Sequence, residues 1–184
     1  MRRLAVAACA DRLDDPDVLA RLAALSRSDT DSSVRAETVE VIAAAGERAL
    51  AVVMAATSDT DARVVEAAAT ALGEIASPDT INWLIDAALG DGNRLVREAA
   101  VASLGAIGDV RAVPALLALL ADGPPQIRRR AVVALTVFDD PAIEPALRAA
   151  TADRNPMVRE VAEMVVGREP DPNWSPVELH PRDR

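Results

Sequence analysis

The chain has 184 residues, a net charge of −9 and a pI of about 4.6. This acidity argues against nucleic-acid binding through a general field of basic side chains. Hydrophobic residues make up 51% of the chain and aromatic residues only 2%, which predicts a core of small aliphatic side chains between close-packed helices and no cradle for a large cofactor. One Cys and no apolar run of about 18 residues predict a cytoplasmic protein without an internal disulfide or a membrane span.

One pattern recurs about every 31 residues. Each copy opens with an apolar residue, numbered zero here, and the six openings are Met1, Val34, Val64, Val96, Ile127 and Val158. The intervals between them are 33, 30, 32, 31 and 31 residues. Small or apolar residues follow at offsets 4, 7 and 8, which share one face of an α-helix. A period of this length predicts a solenoid built from helical repeats.

Each unit is predicted to be a helix, a turn and a second helix that begins near the zero position. Asp or Asn stands three residues before zero in most copies and suits a helix N-cap, and Pro124 takes this place in one copy. Pro16, Pro78 and Pro141 stand where first helices are expected to begin. The predicted first helices cover residues 16–25, 47–56, 78–89, 110–121 and 141–151.

The N-terminal segment MRRLAVAAC allows two interpretations. Residues 6–9 resemble a lipoprotein cleavage site, but the apolar stretch 4–8 is shorter than the roughly 7–15 residues of a signal peptide. The segment also matches the second helix of a repeat, with Cys9 in a core position, and we favour this half repeat. Its apolar face at residues 1–13 predicts sequence upstream of Met1, contact with a partner, self-association through the half repeat, or a cover formed by Leu13 and Leu19.

The segment VREAAVASLGAIGDVRAVPALLALLADG, residues 96–123, closely resembles a HEAT repeat of the short type found in bilin lyases, and residues 64–91 and 127–153 are weaker copies. The resemblance covers residues 1–167. It implies an all-α, armadillo-like fold, a right-handed α-solenoid of about five HEAT-like helix-turn-helix repeats plus an N-terminal half repeat. Residues 168–184 are predicted to be a separate Pro-rich tail, because four prolines prevent a continuous helix.

The resemblance also implies a ladder of ion pairs between the turn Asp and the second-helix Arg of adjacent repeats. The residues assigned to it are Asp29, Asp59, Asp91, Asp122 and Asp153, with Arg35, Arg97, Arg128 and Arg159. Val65 interrupts the Arg series, and whether Arg63 substitutes for it stays open.

In HEAT proteins the second helices line the concave side of the stack, and we use "concave face" for the outward residues of these helices. It is acidic in its N-terminal half and more apolar in its C-terminal half, apart from a basic run at Arg128–Arg130. Arg129 and Arg130 are interpreted as solvated side chains, with an acidic-peptide contact as the alternative. The predicted partner-binding residues are Glu66, Glu98, Ala99, Ala102, Arg129, Arg130, Val133, Val161 and Met164.

The sequence contains no catalytic motif, phosphate loop or metal-ligand pattern, and its one histidine is His180. We therefore expect a non-enzymatic scaffold or adaptor that binds one protein, such as a basic or extended segment, and neither a cofactor nor a metal. The alternative is an accessory subunit of a bilin lyase, which the resemblance implies. A HEAT-like DNA glycosylase ranks lower, because that activity would need a basic concave face with aromatic side chains.

Trp174 is the one tryptophan in the tail. The tail is expected to be disordered, with two alternatives: a linear motif that contains Trp174, or a strap that docks Trp174 and Val177 on the last repeat.

Overall fold

The structure is a computed structural model that describes residues 1–90 and 92–167. The described residues are helical and contain no strand. Four 3₁₀ turns accompany the α-helices, at Ala10–Arg12, Gly46–Ala49, Pro78–Thr80 and Val110–Ala112. The α-helices are α1 (Arg2–Ala7), α2 (Pro16–Ser28), α3 (Ser32–Ala43), α4 (Leu50–Ala56), α5 (Ala62–Ile75), α6 (Ile81–Gly90), α7 (Arg94–Ile107), α8 (Val113–Asp122), α9 (Pro125–Leu135), α10 (Ile143–Ala150) and α11 (Pro156–Val166).

The helices form a stack of pairs, which confirms the predicted α-solenoid. Helix α1 stands alone as a half repeat, and α2 to α11 form five pairs in chain order. The first helices of the pairs are α2, α4, α6, α8 and α10, and the second helices are α3, α5, α7, α9 and α11. Pro16 begins α2 as predicted, whereas Pro78 begins a 3₁₀ turn and Pro141 precedes α10 by two residues.

Short polar residues set where the second helices begin. The side chains of Asp31, Asp61, Asn93 and Asn155 each accept the backbone N–H of the residue two positions later, as N-caps do. Helices α5 and α7 end in left-handed residues, Ala76 at φ 55° and Gly108 at φ 69°. The turns therefore supply hydrogen-bond partners for backbone groups at the helix ends. The repeats can then stack through their apolar faces.

The core is a continuous row of small aliphatic side chains. The zero-position residues Val34, Val64, Val96, Ile127 and Val158 are all buried. Successive second helices pack more extensively on each other than successive first helices do. A stack curves toward its more tightly packed row, so this packing fits a concave side on the second helices.

The N-terminal half repeat is partly covered. Val6 and Leu13 are buried, and Leu19 is half-buried, so the segment after α1 folds back over its apolar face. Cys9 packs against the core and its Sγ donates to the Ala5 carbonyl at 3.3 Å. Leu4 is 72% exposed, so part of this face stays open to water.

Across residues 1–90 and 92–167, no helix is long and apolar enough to cross a membrane.

Candidate partner-binding surface

The predicted partner-binding residues lie along one side of the second helices. Val133 and Met164 are exposed, as are Ala102, Arg129 and Arg130. The remaining four are half-buried: Glu66, Glu98, Ala99 and Val161. Glu66 lies in one groove, and Ala102, Arg129, Arg130 and Val133 lie in a second. The other four line neither groove: Glu98 and Ala99 lie on α7, and Val161 and Met164 lie on α11.

The first groove, the acidic groove, lies on α1, α3 and α5 and has a volume of about 430 Å³. Arg3 crosses it and pairs with Glu37, with Nη2 2.7 Å and Nε 3.1 Å from Oε2. Arg63 at its other edge lies 3.5 Å from Asp61. The groove thus has an excess of negative charge, which comes from four carboxylates: Glu37, Glu40, Glu66 and Glu74.

The surroundings of Glu40 in this groove shift the pKa of its carboxyl group. Burial raises the pKa of Glu40, and the negative charges of Glu37, Glu74 and Glu66 raise its pKa further, while Arg3 opposes them. A raised carboxyl pKa means that the ionised form is disfavoured here. A cation entering the groove would offset the repulsion among these carboxylates.

The second groove, the apolar groove, lies between α7 and α9 and has a volume of about 290 Å³. Ala102 and Ala106 form one wall, and Val133 and Val137 form the other. Gly105 lies at its base, and a Cβ there would come within 2.9 Å of the Ala134 Cα. The absence of a side chain at Gly105 lets the two helices approach closely.

Ion pairs of the predicted ladder connect several adjacent repeats. Arg35 binds both carboxylate oxygens of Asp59 at 2.8 Å, and its Nη1 donates to the Asp29 carbonyl. Arg128 binds Asp153 in the same way, at 2.8 and 2.6 Å, and donates to the Gly123 carbonyl at 2.7 Å. Each such pair is called a rung below.

Each of these two rungs lowers the pKa of its carboxylate, as a nearby positive charge should. Hydrogen bonding from Arg35 holds the pKa of Asp59 below its usual value, and hydrogen bonding from Arg128 does the same to the pKa of Asp153. Arg128 is only 1% exposed, so its rung is the more deeply buried of the two. A bidentate Arg–carboxylate pair fixes both distance and orientation between neighbouring helices.

One expected rung is absent. Arg97 Nε donates to the Ala88 carbonyl at 3.0 Å, and Asp122 is exposed and forms no ion pair with any described residue. The physical reason is Pro124. Three other turn aspartates, Asp29, Asp59 and Asp153, accept the backbone N–H two residues later.

At Asp122 the residue two positions later is Pro124, which has no N–H. Asp122 therefore lacks the backbone hydrogen bond that orients the carboxylates of the other turn aspartates. The assignment of Asp122 to the ladder was wrong.

The other residues considered for the ladder do not all form rungs. Arg159 donates to the Asp153 carbonyl at 2.8 Å, so it binds the turn of its own repeat. Val65 is buried in the core, and Arg63 does not replace it, since Arg63 pairs with Asp61. Asp91 and Trp174 lie outside the described residues.

Several residues of this surface were not predicted from the sequence. Arg2 stands at the Arg position of the half repeat and pairs with Asp29, with Nε 3.1 Å from Oδ2. Glu74, Ala106 and Val137 all stand at offset 10 and line the grooves. Offset 10 continues the helix face of offsets 3 and 6, so helical periodicity alone could have identified these three.

Another cavity, of about 810 Å³, lies at the C-terminal end and is lined partly by Phe138, Ile143, Leu147 and Val165. It adjoins α11, after which the tail begins. The strap of Trp174 on the last repeat stays a prediction. No cluster of His, Cys, Asp or Glu able to hold a metal ion occurs within the two described ranges.

The family pattern described as HEAT repeats matches residues 18–104, 50–136 and 113–173. The chain is therefore a HEAT repeat protein, an all-helical solenoid of the HEAT and armadillo class. No curated protein sequence matches it.

Two solved structures are similar in fold. A chain of the complex of CpcE and CpcF of phycocyanin lyase from Nostoc sp. PCC7120 aligns with a TM-score of 0.69 and 23% identity, over 82% of this chain and 99% of that one. A designed armadillo repeat protein, in complex with the peptide (KR)4, aligns with a TM-score of 0.60 and 20% identity, over 85% and 84%.

Proposed function

We propose that this chain is a non-enzymatic scaffold or adaptor in the cytoplasm that holds an extended, partly basic segment of another protein on its concave face. The observation that supports this best is the alignment of two grooves on consecutive second helices. Helices with capped, self-satisfied turns give such a face a rigid backbone, which lowers the entropy cost of binding. Solenoids commonly use this face for binding.

The acidic groove suits the basic part of the segment. Its carboxylates outnumber its guanidinium groups, and burial together with neighbouring negative charge raises the pKa of Glu40. A Lys or Arg side chain beside Glu40 and Glu74 would relieve this repulsion. The similar designed armadillo repeat protein is in complex with the peptide (KR)4, which is a precedent for a basic peptide on this class of fold.

The test is a titration of fluorescently labelled (KR)4 peptide with the protein, followed by anisotropy at two salt concentrations. We expect the double variant Glu40→Gln and Glu74→Gln to raise the Kd about tenfold, because two groove charges are lost. Glu47→Gln is the matched control, since Glu47 is exposed on the turn before α4, away from the groove. An equal loss in the control would mean that the peptide responds only to net charge, and the groove would be rejected.

A subunit of a bilin lyase is the second candidate, supported by the likeness to nearly the full length of a chain from the phycocyanin lyase complex. Mixing the protein with free bilin separates the two functions. A saturable change in bilin absorbance would support the lyase subunit, and an unchanged spectrum would support the scaffold.

A further inference from the structure

The apolar groove is unusual for a surface exposed to water. Val133 is 54% exposed and Val137, just after the end of α9, is 59% exposed on the same wall. Ala102 and Ala106 face them across the groove and are also exposed. Covering these four side chains would remove apolar surface from water, and a volume of about 290 Å³ has room for one or two side chains of a partner.

The rim of this groove is basic, in contrast to the rest of the concave face. Arg129 and Arg130 both line it. Arg130 has Glu98 at 3.7 Å, and Arg94 also pairs with that carboxylate. Arg129 is exposed and makes no hydrogen bond or ion pair with a described residue. An apolar groove with an available guanidinium at its edge is complementary to an apolar side chain next to a carboxylate.

We infer that the apolar groove binds a short protein segment that carries an aliphatic or aromatic side chain within one or two residues of an Asp or Glu. The apolar side chain lies between Val133 and Ala102, and the carboxylate pairs with Arg129. This inference rests on the proposed function and adds the chemistry of a second part of the partner.

The two grooves together set the layout of that partner. The acidic groove centres on α3 and α5, and the apolar groove on α7 and α9. Two helix spacings of roughly 8–10 Å each separate their centres by about 18 Å. An extended chain covers that distance in about six residues. The partner segment is thus bipartite, with a basic stretch about six residues from an apolar–acidic stretch.

The experiment is a selection from a random dodecapeptide library displayed on phage, with the full chain as bait. We expect the selected peptides to share an apolar residue next to Asp or Glu. The Kd of a synthetic peptide with the selected sequence is then measured by calorimetry. We expect Val133→Arg to raise this Kd about tenfold or more, because a charge would occupy the groove. Val110→Arg is the matched control, since Val110 is also an exposed valine but lies in the turn before α8.

A charge exchange tests the role of Arg129. We expect Arg129→Glu to weaken the selected peptide about fivefold, and a peptide with its acidic residue replaced by Lys to bind this variant better than it binds the wild type. Arg27→Glu, an exposed change on α2, is the control. Enrichment of peptides without an acidic residue, no enrichment, or equal binding by Val133→Arg would each overturn the inference.

The proposed function and this further inference can fail independently of each other. Binding of (KR)4 depends on the acidic groove and does not involve Val133 or Arg129. Retained (KR)4 binding with failed peptide selection would reject the bipartite partner alone. Loss of (KR)4 specificity would reject the basic segment whatever the library yields.

Discussion

The ends and the middle of the stack are held together differently. At the ends, rungs join α1 to the turn after α2, α3 to the turn after α4, and α9 to the turn after α10, through Arg2, Arg35 and Arg128. In the middle, α5 and α7 carry glycines that allow close contact: a Cβ on Gly73 would come within 2.4 Å of Ser103 Oγ, and one on Gly105 within 2.9 Å of Ala134.

The difference shows that one fold can join its repeats by two kinds of contact. Val65 stands where the Arg of a rung would be, and within residues 1–90 and 92–167 Arg97 binds only the Ala88 carbonyl. At the same helices, Ser103 Oγ donates to the Ala69 carbonyl at 2.7 Å. Close backbone packing thus accompanies the loss of rungs. Charge pairs fix orientation at the ends, and van der Waals contact fixes distance in the middle.

Removal of the buried rung should have the largest effect on stability. We expect Arg128→Ala to lower the free energy of unfolding by about 3–4 kcal/mol, because Asp153 would keep a half-buried negative charge without the positive charge that balances it. Urea denaturation measures this change. Arg97→Ala is the comparison in the middle of the stack, with an expected loss of about 1 kcal/mol for one hydrogen bond to a carbonyl. Equal losses would show that the rung adds nothing beyond its carbonyl contact.

The cost of Arg128→Ala should also depend on pH. The pKa of Asp153 is lowered in the folded chain, so its rung stabilises fully above the unfolded value of about 3.9 and loses this effect as the pH falls through the lowered pKa. We therefore expect the difference in unfolding free energy between wild type and Arg128→Ala to shrink below pH 4. The difference for Arg97→Ala should stay nearly constant over the same range, and a parallel decline would contradict this account.

Filling the glycine contact should have a smaller effect. We expect Gly105→Ala to lower the free energy of unfolding by about 1–2 kcal/mol, because the added Cβ would meet the Ala134 backbone and the gain in helix propensity offsets only part of this overlap. Thermal unfolding measures the change. Gly90→Ala is the control, since a Cβ there would meet nothing within 4 Å. A Gly105→Ala variant as stable as the control would show that the helices can separate without cost.

Restoring the missing rung between Arg97 and Asp122 should have the smallest effect on stability. We expect Pro124→Asn to raise the free energy of unfolding by about 0.5 kcal/mol. The new N–H would orient Asp122 and the new side chain would cap α9, while the loss of Pro adds freedom to the unfolded chain. A structure of the variant should show Asp122 paired with Arg97. An Asp122 that remains unpaired would mean that Pro124 is not what breaks the ladder.

The sequence predicted the repeat fold and the second-helix starts because both depend on local patterns. Five of the six zero positions are buried, all except Met1, and Asp31 and Asp61 cap their helices, as helical periodicity and N-cap chemistry require. The contacts between repeats were harder to predict from the sequence. Gly108 ends α7, whereas Gly105, three residues earlier, faces α9. Which face a glycine presents depends on packing between distant residues.

The site was predictable to a similar extent. Outward positions such as Val133 and Met164 followed from the helical period, and the structure places them at the surface. The crossing of Arg3 to Glu37 joins residues 34 positions apart, and only the stacking of α1 on α3 brings them together. The effect of Pro124 on Asp122 could have been foreseen, because it follows from the missing N–H of proline.

The rung has a consequence for how such a chain can grow. Arg128 and Asp153 are 25 residues apart, which is less than one repeat of about 31. A tandem duplication of a segment that spans both residues would copy the pair together, and the new repeat would arrive with its positive and negative charges already matched. An array could therefore gain or lose such a unit without leaving a buried charge unpaired.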